Sequence, residues 1–437
     1  MFCFLNAEFC IPIARLPRAG HFYSRAVEVV THEKFEPSFH KAEHSTMSKN
    51  VISLFSGAGG DTLGLTRAGY SVVAFSEMNA AAIATHKVEF PHSTHLTSPS
   101  GDANIKNIPD SVFQPYAGNT EIVFAGFPCQ GFSHAGKKRH DDARNELVHE
   151  FVRVARIVGP TWIIGENVKG LLSRKGRDPN APPTAPLVPV IQIIQALFEK
   201  IGYKITYRVL DATTAGIPQQ RKRLILVGHR GDQYPHIPWE RITAPKPTIR
   251  SLLESHLEGA VEFLRPTNEA RYWISTTETE PTGTPHPNLL RLIQGIRNRS
   301  TKEKESDPSG PDQIVEPDGL ISFGVRKSGY HGQILDPDEP SKTIICTYGL
   351  CPRLFVGLSN GQKYWIRCMT PRELGRIQGF PAEYAWQGTT KDKINQIGNA
   401  VPPALIQRVA DLLPHATFHT QPQDGTVASD SEDDEES

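Results

Sequence analysis

Between Val51 and His229 short apolar runs alternate with segments of helical spacing, and the first run ends in a glycine-rich turn. Such alternation permits few architectures. A strand that must bury both faces, followed by an amphipathic helix, packs stably as a parallel sheet with helices on each side. The strands are expected at 51–55, 70–76, 121–128, 161–167, 203–212 and 223–229, and the helices at 61–69, 79–90, 145–158 and 190–202. The predicted fold class is therefore α/β, a doubly wound, mostly parallel sheet. Ligands in such sheets sit at the carboxyl ends of the strands.

The pattern degrades after about residue 230 and returns near 370–380 and 400–413. This divides the chain into an N-terminal extension (1–46), a first domain (47–234), a smaller second domain (235–345), a return to the first domain (346–413) and an acidic tail (414–437) expected to be disordered. Met47, just before the first strand, is a candidate alternative start. Lysine plus arginine equals aspartate plus glutamate, 47 each, but six of the acids stand in Asp430–Glu436, so the rest of the chain is mildly basic. The six cysteines show no CxxC spacing, which argues against structural zinc, and no metal site is expected. Their scatter suggests a reducing, intracellular setting. No run approaches the roughly 18 apolar residues of a membrane span.

The turn FSGAGG (55–60) joins a strand to a helix, where glycines let backbone N–H groups approach a ligand. Glu77 ends the second strand, the place of a ribose-hydroxyl acceptor in this fold, and Asp102 could accept from an adenine amine. The motif alone fits NAD, a flavin or S-adenosylmethionine, or a purely structural turn. GFPCQGFS (126–133) ends another strand and presents Cys129 at the same sheet edge. A lone cysteine is usually a buried structural one; at a strand terminus after a proline it is well presented as a nucleophile. Glu166 in GENV (165–168) ends a later strand, as a turn cap or as an acid for a substrate ring nitrogen. Gln219, Arg221 and Arg223 alternate along one face, either a solvated edge or a charged site.

Taken in order, FSGAGG, PCQGFS, ENV, QQRKR, TPRELGRIQGFP (370–381) and GNAVPP (398–403) resemble the motif set of DNA cytosine-5 methyltransferases, over roughly 50–230 and 365–413. The resemblance implies the S-adenosylmethionine-dependent methyltransferase fold, with 235–345 as a target-recognition domain. It implies that a cytosine is flipped out of double-stranded DNA, that Cys129 attacks its carbon 6, that Glu166 binds nitrogen 3 and the amino group, that Arg221 holds the carbonyl oxygen and that Arg223 organises the site. For the cofactor, S-adenosyl-L-methionine, it implies contacts from Phe55, Ser56, Gly57, Ala58, Gly60, Glu77, Met78, Asp102, Ala103, Gly126, Pro128, Leu147, Asn399 and Ala400. Gln130, Ser133, Lys137, Lys138, Arg139 and Gln219 would touch DNA, the three basic residues at phosphates on a loop that closes over the duplex. In the second domain Arg265, Arg271, Arg291, Arg297, Arg299, Lys302, Lys304, Tyr272 and Trp273 are candidates for DNA contact. Ser53 stands where the family often carries an acid, and Asp211 where asparagine is common.

A restriction-modification or orphan modification enzyme is expected, monomeric, cytoplasmic (nucleoid-associated in a bacterium, nuclear in a eukaryote), with a restriction endonuclease for the same site as a possible companion. The competing readings are a tRNA-directed relative, whose CFT tripeptide is absent, an NAD-dependent oxidoreductase, and a non-catalytic DNA-binding relative.

Overall fold

Seven strands form the sheet that organises the molecule, in the order β3-β2-β1-β4-β5-β9-β8. The computed structural model describes residues 49–128, 147–177, 182, 184, 186–263, 270–294, 320–322 and 331–414; the expected N-terminal extension and nearly all of the acidic tail lie outside them. In chain order the first lobe runs β1 (Asn50–Leu54), α1 (Gly60–Arg67), β2 (Ser71–Ser76), α2 (Ala80–Glu89), β3 (Thr94–His95), α3 (Asp110–Phe113), β4 (Ile122–Ala125), α4 (Leu147–Val158), β5 (Trp162–Val168), a small β6–β7 pair (Lys175–Gly176 and Val188–Pro189), α5 (Val190–Glu199), β8 (Tyr203–Asp211) and β9 (Lys222–Arg230). Strands β1 to β5 pair in parallel; β5–β9 and β9–β8 are antiparallel. The mostly parallel sheet is as predicted.

The central strands are apolar because both faces are covered. Val51, Ile52, Leu54, Ile122, Val123 and Phe124 are all fully buried, and they divide between two apolar clusters, one on each side of the sheet. One cluster holds α4 and α5; the other holds α9 (Pro403–Asp411), which returns from the end of the described chain to pack on α1. Pro403 sits at the first helical position, where its missing N–H costs nothing.

The second sheet has the order β10-β15-β14-β13-β12, with β11 beside β14. Its strands are β10 (Val261–Phe263), β11 (Trp273–Ser275), β12 (Leu320–Ser322), β13 (His331–Ile334), β14 (Leu354–Ser359) and β15 (Tyr364–Cys368); residues 287–294 are helical. The expected boundary at 345/346 therefore falls inside this sheet, and the return begins after Cys368. The missed signal is a hairpin: Asn360-Gly361 turns between two apolar runs, with Gly361 at φ 89°. One face of the sheet buries Val356, Leu358 and Trp365 against Leu374 and Ile377 of α7 (Pro371–Ile377) and Ile394 and Ile397 of α8 (Thr390–Asn399). A buried ion pair pins the joint. Arg367 of β15 meets Glu373 of α7 at 2.8 Å, their side chains 1% and 0% exposed. Glu373 also completes a capping box with Thr370.

Candidate active site

The carboxyl ends of β1, β2, β4 and β5 open onto one cavity of about 430 Å³, within the roughly 300–1,000 Å³ of small-molecule sites. After β1 the chain turns sharply. Phe55 takes a left-handed φ of 57°, the single non-glycine residue to do so among those described. Such strain in a bulky residue persists only where the surroundings fix it. Here the Phe55 N–H donates to Ser76 Oγ (3.2 Å), and Gly57 N–H donates to Glu77 Oε2 (2.9 Å). Glu77 Oε1 accepts from the N–H groups of Met78 and Asn79, both 2.8 Å, so the carboxylate is held at the cavity wall.

Of the expected cofactor residues, Phe55, Ser56, Gly57, Ala58, Glu77, Met78, Ala103, Gly126, Pro128, Leu147, Asn399 and Ala400 line this cavity. Gly60 and Asp102 do not. Gly60 serves packing: a Cβ there would lie 2.2 Å from the Val401 carbonyl oxygen. Asp102 turns away. Its oxygens accept from Asn104 N–H (2.8 Å) and Asn107 Nδ2 (2.6 Å), bonds that lower its pKa, while the cavity wall beside it is Ala103, Asn104 and Ile105.

Glu166, Arg221 and Arg223 also line the cavity. The antiparallel pairing explains how. Arg223 at the start of β9 lies opposite Val168 at the end of β5, and Glu166, two residues back, shares their face. Arg223 Nε lies 2.7 Å from Glu166 Oε1 as an ion pair, and its Nη1 donates to Lys222 O (2.9 Å). Glu166 Oε2 has no partner among the described residues.

Arg221 lines the cavity with its two terminal nitrogens committed to backbone carbonyls, while its buried Nε has no partner among the described residues. It is 2% exposed, donating from Nη1 to Ile344 O (2.9 Å) and from Nη2 to Gly398 O (2.8 Å) and Ala400 O (3.2 Å). Burial, then the charge of Arg223, drives its pKa well below the usual arginine value. Gln219 is fully buried, donating to Gln378 Oε1 and accepting from Ile344 N–H (3.0 Å), so it is not accessible to DNA. Gln378 in turn donates to Ala400 O (2.7 Å). The alternation of Gln219 and Arg221 therefore faces inward and brackets the 398–400 segment against the cavity.

Cys129, Gln130, Ser133, Lys137, Lys138 and Arg139 lie outside the described residues, as do Arg265, Arg297, Arg299, Lys302 and Lys304. Pro128, next to Cys129, lines the cavity. Tyr272 is buried in the second lobe's core, and Trp273 packs half-buried against it. Sequence reasoning missed Asn167. Buried at 2%, it donates to Phe127 O (2.9 Å) and so fixes the strand end that leads to Cys129. It also missed Asn395 and Gln396 on the far wall, which no local pattern marks; Gly398 beside them opens the GNAVPP motif. No cluster able to hold a metal occurs among the described residues, and no helix among them is long and apolar enough to cross a membrane.

Residues 49–415 match the family model described as C-5 cytosine-specific DNA methylase. The Type II methyltransferase M1.HphI of Haemophilus parahaemolyticus is 31% identical over 378 residues, 84% of this chain and 86% of its own length. M.PspPI of Psychrobacter sp. is 30% identical over 395 residues, 86% of this chain and 83% of its own. Among solved structures, the Entamoeba histolytica methyltransferase EhMeth (17% identity) and the S. pombe Dnmt2 methyltransferase (15%) each superpose with a TM-score of 0.53, covering 83% of this chain and 97% of theirs. At those identities the likeness is one of fold.

Proposed function

The chain belongs to the C-5 cytosine-specific DNA methylase family, and from that membership and the cavity's geometry we propose the course of its reaction. It is a DNA cytosine-5 methyltransferase that uses S-adenosyl-L-methionine. The finer reading is that it acts on a cytosine flipped out of a specific double-stranded sequence, through a covalent bond to Cys129.

The residues present suit the cofactor. Glu77 offers a fixed carboxylate for ribose hydroxyls, and Ala103, Ile105 and Leu147 offer apolar contact for a base. Beside Phe55, the small residues Ser56, Gly57 and Ala58 line the opposite wall, and the bracketed 398–400 segment closes it. When bound, S-adenosyl-L-methionine supplies a sulfonium methyl group to carbon 5 of the activated ring.

The single observation that carries the reading is the Glu166–Arg223 pair at the cavity wall. Arg223 holds one carboxyl oxygen, leaving the other for nitrogen 3 and the amino group of the base. With Arg223 Nε paired to Glu166 and Nη1 donating to Lys222 O, Nη2 is then the donor for the pyrimidine carbonyl oxygen, the task that the family resemblance gives to Arg221. The Cys129 thiolate adds to carbon 6, forming a C–S bond and moving the ring's π electrons toward carbon 5 and nitrogen 3, and a proton passed from the Glu166 carboxyl to nitrogen 3 neutralises the charge. Splitting the alkylation in this way replaces one difficult step by easier ones. After carbon 5 is methylated, loss of its proton restores the double bond and expels Cys129 as thiolate.

The Type II names of the relatives support a modification enzyme with a restriction endonuclease for the same site as its companion. Bisulfite sequencing of DNA from cells expressing the protein tests the reading. Protected cytosines at one recurrent sequence are expected. Full conversion at every cytosine, with cofactor binding intact, would contradict it.

A further inference from the structure

Beneath the Phe55–Gly60 turn lies a carboxylate that the reaction above does not use. Asp61, the second residue of α1, is 1% exposed. It accepts hydrogen bonds from Ser53 Oγ and from Ser56 Oγ, the latter at 3.0 and 3.1 Å. Ser56 Oγ is 3.1 Å from Thr62 Oγ1, which is 3.0 Å from His86 Nε2. All five residues are buried. The chain of bonds has one sense. Burial lowers the His86 pKa to about 3, so the ring is neutral, and its Nδ1 has no partner. With the proton on Nε2, His86 donates to Thr62, Thr62 to Ser56, and Ser56 to Asp61, and every donor converges on the carboxylate.

A buried carboxylate ordinarily has a cation beside it. Among the described residues none pairs with Asp61. On α1 Arg67 is exposed at the far end, and β1 carries no charge. From the β2–α2 turn, α2 and β3 come Glu77, an acid occupied by backbone N–H groups, neutral His86, and His95 against the Phe75 ring; Lys87 is exposed, and Glu89 accepts from Ala385 N–H. The return segment contributes Tyr384, whose pKa is raised well above 10 by burial, by Glu89 and by Asp61 itself, and α9 contributes the exposed Arg408. Ser56, the carboxylate's partner, is itself part of the cavity wall.

We infer that Asp61 is a positioning residue whose carboxylate, acting through Ser56, is the protein's counter-charge for the cationic methionine portion of S-adenosyl-L-methionine. This rests on the cofactor assignment above and names the residue that serves its charged end. Burial raises the Asp61 pKa to about 6, against the hydrogen bonds from Ser53 and Ser56. A bound cation favours the ionised form, so binding near that pH releases a proton, and affinity weakens as pH falls through it.

Titration calorimetry on the full chain tests this. The wild type is expected to bind S-adenosyl-L-methionine about tenfold more weakly at pH 5 than at pH 7, since a group titrating near 6 is mostly protonated at the lower value. Asp61→Asn is expected to bind at pH 7 with roughly the wild type's pH 5 affinity and to show little pH dependence. Adenosine, which lacks the methionine portion, should bind both proteins alike. At pH 6, titrations in two buffers of different ionisation enthalpy should report proton release by the wild type and none by the variant. A folded Asp61→Asn protein with wild-type affinity at pH 7, or wild-type binding without proton release at pH 6, overturns the inference; the second result needs no variant. A wild type that binds S-adenosyl-L-methionine at neither pH would strike the cofactor assignment, a separate failure.

Discussion

Arg223 Nε lies 2.7 Å from Glu166 Oε1, with the two side chains 12% and 11% exposed. An ion pair at this distance, little exposed to solvent, orients the acid without removing it from the cavity. Glu166→Gln should therefore cost about 10²–10⁴-fold in turnover, the usual contribution of a positioned acid or base. Arg223→Ala should cost about 10²-fold or more, as for an electrostatic donor in a closed site. Both should bind S-adenosyl-L-methionine nearly as the wild type does, which calorimetry would report. Arg223→Lys should recover little, because an ammonium cannot hold a carboxylate and a second acceptor with one planar edge.

Arg221 should behave in the opposite way. Removing its guanidinium leaves the Ile344 and Gly398 carbonyls without these donors, while Ala400 O keeps Gln378. Each orphaned buried acceptor costs about 1–3 kcal/mol. Arg221→Met is expected to lose stability by that order in urea denaturation and to bind cofactor more weakly, since the 398–400 wall loosens. Equal loss of turnover in both arginine variants, with stability unchanged in both, would remove the distinction between them.

Asp61 makes a signed prediction for stability without cofactor. Its folded pKa of about 6 stands above the 3.8 of the free side chain, so the folded state holds the extra proton between those values. Stability from this group is present at low pH and is lost as pH rises through that window. Asp61→Asn removes the loss. Relative to the wild type, the variant should gain stability between pH 4 and pH 7. The gain is at most about 3 kcal/mol, because a tenfold change in proton affinity is worth about 1.4 kcal/mol. Thermal melts of the ligand-free proteins across that range would check the sign, and a gap that shrinks as pH rises would refute it.

The Arg367–Glu373 pair joins the second sheet to the return helices, and Glu373 also accepts from Glu254 N–H (2.7 Å) and Thr370 N–H (2.8 Å). Glu373→Ala strands a buried guanidinium and should cost about 3–5 kcal/mol. Denaturant unfolding should show it as a lower midpoint, with the residual folded enzyme still binding cofactor.

How much of this is legible in the sequence follows from which forces are local. The longer strands and helices from Val51 to His229 declare themselves through apolar runs and glycine stops, the short β3, α3, β6 and β7 do not, and Glu77 is placed by its position at a strand end. Arg221 and Arg223 are two residues apart with the same chemistry, and nothing local separates them. The distinction comes from Ile344, Gly398 and Ala400, all more than 100 residues away in the chain. Gln219 is decided likewise by Gln378. Asp61 reads as an ordinary acid in a helix's first turn, and its burial depends on Ser53 in the strand behind it. The β14–β15 hairpin, by contrast, carries a readable Asn360-Gly361 turn.

The acid at 166 and its arginine serve a base held by a thiol, and on this relationship the proposed reaction depends. The most direct measurement is covalent capture on double-stranded DNA carrying 5-fluorocytosine at the methylated position, where the fluorine blocks release. With S-adenosyl-L-methionine present, the wild type should form a denaturant-stable protein–DNA adduct and Cys129→Ser none. An adduct of undiminished yield from Cys129→Ser, or none from a wild type that methylates ordinary DNA, would contradict the account.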